Sequence, residues 1–259
     1  MEYLCSQEEL ISFYEQCNKI GLPFSINKPL VCLNIQDLEV KIQKNQKLTD
    51  TFRCCAEKNW VRGKYLFLLA DVEGYLLEVK CSIEEEKYVK DSGFRPGVSF
   101  KEESCGTNAI SMAMRLKRVV YIRAYEHYCD IFKKWYCIAS HITTKNGEIV
   151  GYVDISIINE KIADEITIVI KLLAEKIANK YENRVKEEEL KDFKIKLNDK
   201  QIKILTLEAK GYKELAIAEL IFKDSGQILM SKLINKAVKN PVRRKSSSNI
   251  EATKYKDER

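Results

Sequence analysis

The sequence has few of the residues that mark several protein classes. It contains four prolines, two histidines and two tryptophans in 259 residues, and its nine cysteines include no C-x-x-C pair. This odd count is not typical of a disulfide scaffold, so we expect reduced thiols. Two histidines leave no evident Ser-His-Asp pattern, and no G-x-x-x-x-G-K phosphate loop occurs. We therefore expect neither catalysis nor ATP hydrolysis, and no cofactor or metal.

Long apolar runs are also missing. A membrane-spanning helix needs roughly 18 consecutive apolar residues, and stretches such as Tyr65–Ala70 are far shorter. The early acidic side chains Glu2, Glu8 and Glu9 do not fit a secretory signal peptide. We expect a cytoplasmic protein without a membrane partner.

The positive charge lies at one end of the chain. With 45% hydrophobic and 32% charged residues, the composition fits a globular protein. Residues 1–182 have a net charge of −1, whereas residues 183–259, with 19 Lys and Arg against 12 Asp and Glu, have a net charge of +7. Such a block of positive charge favours binding to nucleic acid or to an anionic membrane. It is also common in a solvated tail.

Hydrophobic periodicity predicts a helical segment over residues 1–60, with helices at Gln7–Ile20 and about Leu48–Trp60. A short helix is predicted near Thr107–Leu116. The predicted strands of the following core, residues 61–160, are Tyr65–Ala70, Tyr75–Val79, Val119–Arg123, Trp135–Thr143 and Glu148–Ile157. Asn146-Gly147 predicts a tight hairpin between the last two.

The rest of the chain reads as helical until its tail. One long helix runs from Ile162 to about Phe193, and residues 161–196 suit a signalling or dimerisation helix with a linker. Residues 197–240 predict a small helical domain, and 241–259 a basic disordered tail.

A series of motifs between Phe94 and Ser156 identifies the core. These motifs are Arg95-Pro96-Gly97, Glu102-Glu103, Gly106-Thr107-Asn108-Ala109-Ile110, Glu126-His127, Trp135-x-Cys137, Asn146-Gly147 and Gly151-x-Val153-Asp154-Ile155-Ser156. In this order they resemble the amino-terminal GAF sensor domain of the acetoin-catabolism-regulator type of bacterial enhancer-binding activators. The resemblance covers roughly residues 1–160. It implies an α/β (α+β) fold with an antiparallel sheet, flanking helices and a ligand cavity.

The resemblance also supplies candidate ligand-binding residues. They are Arg95, Glu103, Thr107, Asn108, Glu126, His127, Trp135, Cys137 and His141. The family's C-S-A-A-P-I segment reads Cys137-Ile138-Ala139-Ser140-His141-Ile142 here, so the ligand need not be shared.

Two local features each have two interpretations, and a third predicts an ion pair. His127, Cys129, Cys137 and His141 could hold zinc or iron, but buried thiols and a satisfied histidine are the favoured interpretation, because the spacing lacks a close thiol pair. Gly106-Thr107-Asn108 could bind an anion, but a helix cap made by Thr107 or Ser104 is the favoured interpretation. Arg95 and Glu103 could form an ion pair that holds a loop over the pocket.

The C-terminal segment resembles the first half of a LuxR-type helix-turn-helix. Leu197, Ile204, Leu205, Leu207, Ala209 and Gly211 match that pattern, with Ile217-Ala218 six and seven residues after the glycine. The recognition helix beyond Phe222 departs from the pattern. The candidate DNA-contacting residues are Gln227, Ser231, Lys232, Asn235, Lys236 and Lys239.

These observations predict a ligand-responsive bacterial transcriptional regulator, a homodimer in which a GAF sensor controls a helix-turn-helix. Its expected partners are double-stranded DNA and a small-molecule effector of unknown identity, with RNA polymerase as a further candidate. Two alternatives stay open. One is a sensor or interaction protein with a decayed DNA-binding head, and the other is a cysteine-dependent GAF-fold reductase.

Overall fold

The computed structural model describes residues 5–56, 64–192 and 199–222. The chain divides into two compact units, Met1–Leu190 and Lys191–Arg259. The boundary between them falls inside the segment 161–196, which the sequence assigns to a connecting helix and linker.

The first unit combines helices with one sheet. Its helices are α1 (Gln7–Lys19), α2 (Ile35–Lys44), α3 (Gln46–Ala56), α4 (Ile83–Asp91), α5 (Glu102–Cys105), α6 (Ala109–Leu116) and α7 (Ile166–Asp192), of which α7 runs two residues past the unit boundary. Its strands are β1 (Leu66–Ala70), β2 (Leu76–Lys80), β3 (Val120–Ile122), β4 (Trp135–Thr143) and β5 (Ile149–Ile158).

The five strands form an antiparallel sheet in the order β2-β1-β5-β4-β3. Two tight turns connect neighbouring strands of this sheet. Asp71 Oδ1 accepts hydrogen bonds from the backbone of Glu73 and Tyr75, each at 2.9 Å, and Gly74 follows with a φ of +83°. The predicted Asn146-Gly147 hairpin joins β4 to β5, with Gly147 at a φ of +82°. The GAF-like α/β fold expected from the motifs is confirmed.

Both faces of the sheet are buried, and each face contributes to a separate core cluster. Along β4, Trp135, Cys137 and Ala139 enter a core cluster with α1 and α6. Ile138 and Ile142 enter a second cluster with α3 and α7. Successive side chains of a strand point to opposite faces, so the odd-numbered positions 135–139 of β4 share the α6 side.

Polar contacts repeat along the line where α3 meets α7. Arg184 donates to Thr51 Oγ1 at 3.1 Å, and Lys180 donates to Cys54 Sγ at 3.5 Å. One turn further along, Lys47 pairs with Glu188. Because steps of three or four residues return to the same helix face, these pairs hold the two helices antiparallel.

The predicted strands and the main predicted helices are confirmed, with boundaries that differ by a few residues. The long helix begins at Ile166 rather than Ile162, although Ile162 is buried. Helices α2, α4 and α5 were not predicted. The N-terminal helices also pack directly on the sheet, since Phe13 and Cys17 of α1 and Phe52 of α3 belong to its two clusters.

The second unit contains α8 (Asp199–Ala209) and α9 (Glu214–Phe222). Gly211 has a φ of +82° where α8 ends, as the sequence predicts, and Ile217 and Ala218 of α9 are buried. The candidate DNA-contacting residues, Gln227 to Lys239, lie outside the described residues. In the described ranges no helix has both the length and the apolarity to cross a membrane.

Candidate functional site

A small cavity lies between the sheet and α6. Its volume of about 10 Å³ leaves room for about one water molecule. Leu68, Phe100, Ile110 and Phe132 form most of its apolar wall. Its polar or polarisable groups come from Asn108, Trp135, Cys137, Asp154 and Ser156.

Strand register brings the polar lining together. Cys137 of β4 lies directly opposite Ser156 of β5, and Asp154 lies opposite both Ala139 of β4 and Leu68 of β1. Positions two apart on a strand share a face. Trp135, Cys137, Asp154 and Ser156 therefore all face α6.

Asp154 is a buried acid in the lining of the cavity. Asp154 is 2% exposed, and its side chain forms no ion pair among the described residues. The Ser156 hydroxyl donates to Asp154 Oδ1 at 2.5 Å. Burial raises the pKa of Asp154 to about 7, against the smaller opposing effect of that hydrogen bond. Near neutral pH this carboxyl can therefore either donate or accept a hydrogen bond.

Trp135 carries a buried indole donor. The residue is fully buried, and its Nε1 has no hydrogen-bond partner within the described part of the chain. Its ring meets Phe132 edge-on, with centroids 5.6 Å apart, and Phe94 at 5.2 Å. An unpaired buried donor costs roughly 1–3 kcal/mol. A ligand that offers an acceptor here would recover part of that free energy.

Cys137 is a poor nucleophile. Burial, and then the nearby Asp154 charge, raise the pKa of its thiol well above the ordinary value. Burial likewise raises the pKa of Cys5, Cys105 and Cys129 to about 12. Because the thiolate is the reactive form, these four thiols are unsuited to reductase chemistry at neutral pH.

Asn108 lines the cavity with a side chain that is already committed. Its Oδ1 accepts from Ser111 N at 2.9 Å, and its Nδ2 donates to Phe100 O at 2.7 Å and to Gly106 O at 2.9 Å. Asn108 is thus the N-cap of α6. This supports the interpretation of the loop as a helix cap. The prediction that Thr107 or Ser104 makes the cap was wrong.

His127 lies next to the cavity wall. Its imidazole stacks on Phe132, with centroids 5.1 Å apart and planes 27° apart. Nδ1 lies 3.2 Å from Ala124 O, and since a carbonyl only accepts, Nδ1 carries the proton. Nε2 is then an acceptor, and it has no partner within the described ranges. Burial lowers the pKa of His127 to about 3, so the ring is neutral.

The remaining predicted ligand residues lie elsewhere. Glu126 accepts hydrogen bonds from the Arg123 backbone and guanidinium. Thr107 Oγ1 contacts Cys17 Sγ at 3.6 Å. Arg95 and Glu103 are exposed, and no ion pair joins them. The prediction of an ion pair that holds a loop over the pocket was therefore wrong.

Both ring nitrogens of His141, near the end of β4, have hydrogen-bonding partners. Its Nε2 lies 3.1 Å from Lys117 O, and its Nδ1 lies 2.8 Å from Thr143 Oγ1. In the part of the chain that the structure describes, no three His, Cys, Asp or Glu side chains are arranged to hold a metal ion. The metal interpretation therefore has no geometric support from His127, Cys129, Cys137 and His141.

Sequence reasoning did not assign Asp154 and Ser156 to the site. They appeared only as part of the G-x-V-D-I-S motif, although a usable signal was present. Two polar residues at positions i and i+2 of an otherwise apolar strand must point to one face of the sheet. Phe132 had no such signal, because it lies on a short 3-10 turn, Asp130–Phe132.

Comparisons with known proteins agree with this fold. Residues 53–179 match the family model described as MimR, N-terminal domain. The solved structure of the E. coli DhaR(N)–DhaL complex is similar with a TM-score of 0.66 at 14% identity, covering 89% of this chain and 85% of that one. At that identity the likeness shows the fold alone.

Two curated relatives are each 26% identical to this chain. One is a signal-transduction and transcriptional-control protein of Clostridium beijerinckii, matched over 55% of this chain and 23% of its own length. The other is the acetoin dehydrogenase operon transcriptional activator AcoR of Bacillus subtilis strain 168, matched over 58% of this chain and 25% of its own length. The match thus spans about a quarter of the length of each relative.

Proposed function

We propose that this chain is a ligand-responsive transcriptional regulator. Its GAF-like unit binds a small molecule in the cavity beside α6, and binding controls a DNA-contacting segment in the second unit. The observation that carries the proposal is that one cavity is lined by Trp135, whose indole donor has no partner in the described ranges, and by the buried Asp154, which forms no ion pair there. Two relatives named for transcriptional control support the regulatory part.

The sheet offers a route from the cavity to α7. Asp154 faces the cavity, while its neighbours Val153 and Ile155 pack in the cluster that contains Ile170 and Leu173 of α7. A ligand that moves β5 would shift the surface on which α7 rests. Such coupling requires that the ligand bind one arrangement better than the other.

Homodimerisation is part of the proposal. On α7, Ile168 is 63% exposed and Leu172 is 60% exposed, although the helix buries Ile170 and Leu173. A second copy could cover this apolar surface, in keeping with the two-fold symmetry of many operators. Sedimentation velocity tests this idea. Ile168→Glu with Leu172→Glu should yield monomers, whereas Ile83→Glu, at a residue that is 88% exposed on α4, should not.

DNA binding is tested by fluorescence anisotropy on the chain's own upstream DNA and on a scrambled duplex, at two salt concentrations. The full chain should prefer its own DNA as salt rises, because contacts to bases depend on salt less than contacts to phosphates. Lys232→Glu with Lys236→Glu should abolish that preference. Lys87→Glu with Lys161→Glu, which changes the charge equally at exposed positions, should not.

Ligand control is tested with the same readout and a metabolite library. A true effector should change operator affinity for the wild-type protein, and the change should disappear in Asp154→Asn or Trp135→Phe. If every active compound acts equally on these variants, the cavity is not the sensor site.

A second candidate is a sensor that acts through another protein. The similar E. coli structure is a complex of DhaR(N) with DhaL, and the recognition helix here departs from the LuxR-type pattern. This candidate predicts that the full chain binds every duplex alike and dissociates in salt. It should be adopted if anisotropy gives that result.

A further inference from the structure

The thiol of Cys54 and the amine of Lys180 are in contact where α3 meets α7. Lys180 Nζ donates a hydrogen bond to Cys54 Sγ at 3.5 Å, although the two residues are 126 positions apart in the sequence. Both residues are half-buried, so part of each side chain stays in contact with solvent. The helix packing therefore brings a sulfur nucleophile and an amine together where a small solute can reach them.

The two adjacent cysteines of α3 have different surroundings. Cys55 is fully buried in the core cluster that contains α3 and α7, and burial raises the pKa of its thiol. Cys54 is half-buried instead, and its sulfur accepts from Lys180 of the neighbouring helix. The sequence shows only two neighbouring thiols, and the packing of the helices distinguishes one of them.

Positive charge surrounds this pair. Lys176, Lys180 and Arg184 recur every four residues, so they form one row along α7. Their charges lower the pKa of Cys55, against the larger effect of burial, which places all three near this part of α3. Cations favour the thiolate, which is the form of cysteine that a peroxide oxidises.

We propose that Cys54 and Lys180 form a reversible covalent cross-link when the protein meets a peroxide. The peroxide oxidises the Cys54 thiol to a sulfenic acid, and the Lys180 amine then attacks the sulfur to form an S–N bond. This inference goes beyond the proposed function, and its test requires neither a ligand nor DNA.

The reaction balances with one molecule of hydrogen peroxide. In the first step the O–O bond breaks, sulfur loses two electrons, and the products are the sulfenic acid and one water. Lys180 releases one proton to solvent, and its lone pair then attacks the sulfur. The sulfenic hydroxyl leaves as a second water with another amine proton. A dithiol reverses the link, because it becomes a disulfide while the thiol and the amine are restored.

The amine is well placed to compete for the sulfenic acid. Sulfenic acids condense with thiols and with backbone nitrogen. The Lys180 amine, once deprotonated, is a stronger nucleophile than a backbone amide, and it already contacts the sulfur. We therefore expect the link to Lys180 to form in preference to a disulfide with Cys55.

The cross-link would fix α7 on α3. At present polar contacts such as Arg184 to Thr51 and Lys47 to Glu188 join these helices, and such contacts can exchange with water. A covalent bond cannot. Because it would join residues 126 positions apart, it would also restrict the unfolded chain, as a disulfide does. The oxidised protein should therefore unfold at a higher temperature.

Peptide mapping of the full chain tests the proposal. The native protein is treated with dilute hydrogen peroxide, alkylated, digested and analysed by mass spectrometry. The expected product is a peptide pair that joins Cys54 to Lys180, is lighter by two hydrogens than the two reduced peptides together, and disappears after treatment with dithiothreitol.

Two variants on α7 form a matched pair. Lys180→Arg keeps the positive charge, but a guanidinium is not a nucleophile at neutral pH. It should lose the cross-link and increase the labelling of Cys54 sulfenic acid by dimedone severalfold. Lys176→Arg changes the same residue type in the same row, and it should cross-link like the wild type. Peroxide should raise the unfolding temperature of the wild type and Lys176→Arg by several degrees, and not that of Lys180→Arg.

Several results would overturn the proposal. They are the absence of a cross-linked pair, a disulfide between Cys54 and Cys55 as the main product, a link that contains an added oxygen, and equal dimedone labelling of Cys54 in Lys180→Arg and the wild type. If Lys180→Arg does not fold, the peptide map of the wild type and of Lys176→Arg still decides the inference.

Discussion

Ser156 donates a 2.5 Å hydrogen bond to Asp154, two positions earlier on β5, and both side chains face the same cavity. Ser156 lies directly opposite Cys137 of β4, so the carboxyl, the hydroxyl and the thiol share one face of the sheet. A polar line therefore crosses β4 and β5 in an otherwise apolar region.

Asp154 should make the fold less stable as pH rises. Its folded pKa, about 7, lies above the ordinary value of 3.8, so the stabilisation is complete below about pH 4 and is lost as pH rises through 7. The loss is of the order of 4 kcal/mol. In urea denaturation, Asp154→Asn should remove this dependence, so its stability relative to wild type should be greater at pH 8 than at pH 5.

The Ser156→Ala variant tests the cause of that shift. The hydroxyl favours the charged carboxylate, so its loss should raise the pKa of Asp154 further and move the stability change to higher pH. Identical pH profiles for Asp154→Asn and the wild type would contradict the assignment.

Trp135 should tolerate phenylalanine far better than alanine. Trp135→Ala removes a fully buried ring and should cost about 3–5 kcal/mol of unfolding free energy. Trp135→Phe keeps much of the packing and removes an unpaired donor, so its cost should be about 1–2 kcal/mol. Guanidinium denaturation measures both. A Phe variant as unstable as the Ala variant would mean that Nε1 has a partner.

Gly151 should not accept a side chain. A Cβ at this position would lie 2.7 Å from the carbonyl oxygen of Ala70, which is backbone of the paired strand β1 and cannot rotate away. Gly151→Ala should therefore destabilise the fold by about 1–3 kcal/mol. Gly147→Ala meets nothing within 4 Å, so only its positive φ opposes alanine, at about 1 kcal/mol. Thermal unfolding compares them, and equal effects would argue against the close contact.

The cysteines should differ sharply in reactivity. Cys32 is exposed, whereas Cys105, Cys129 and Cys137 are buried and have raised thiol pKa values. Iodoacetamide at pH 8, followed by mass spectrometry, should modify Cys32 in the native protein and the other three only after unfolding. Rapid native modification of Cys137 would revive the reductase alternative.

Local sequence patterns were enough to predict the strands, the main turns and the long helix. Their signals are local: alternation along Trp135–Thr143, Asn146-Gly147 between two strands, and a stripe of apolar residues through α7. Helix α4 could also have been found, because Ser82 caps it three residues before Glu85. Helix α2 gave a weaker signal, since none of its residues is buried and an ion pair from Lys41 to Asp71 helps to hold it.

Which polar residues share the cavity follows from tertiary contacts and not from local patterns. Glu126 and His127 are neighbours in sequence, yet Glu126 is satisfied by Arg123, while Nε2 of His127 has no partner among the residues that the structure describes. Asp154 joins Trp135 only through the pairing of β4 with β5. Whether a polar group is satisfied depends on residues distant in the chain, and strand register with helix packing brings them together. Local sequence patterns do not contain that information.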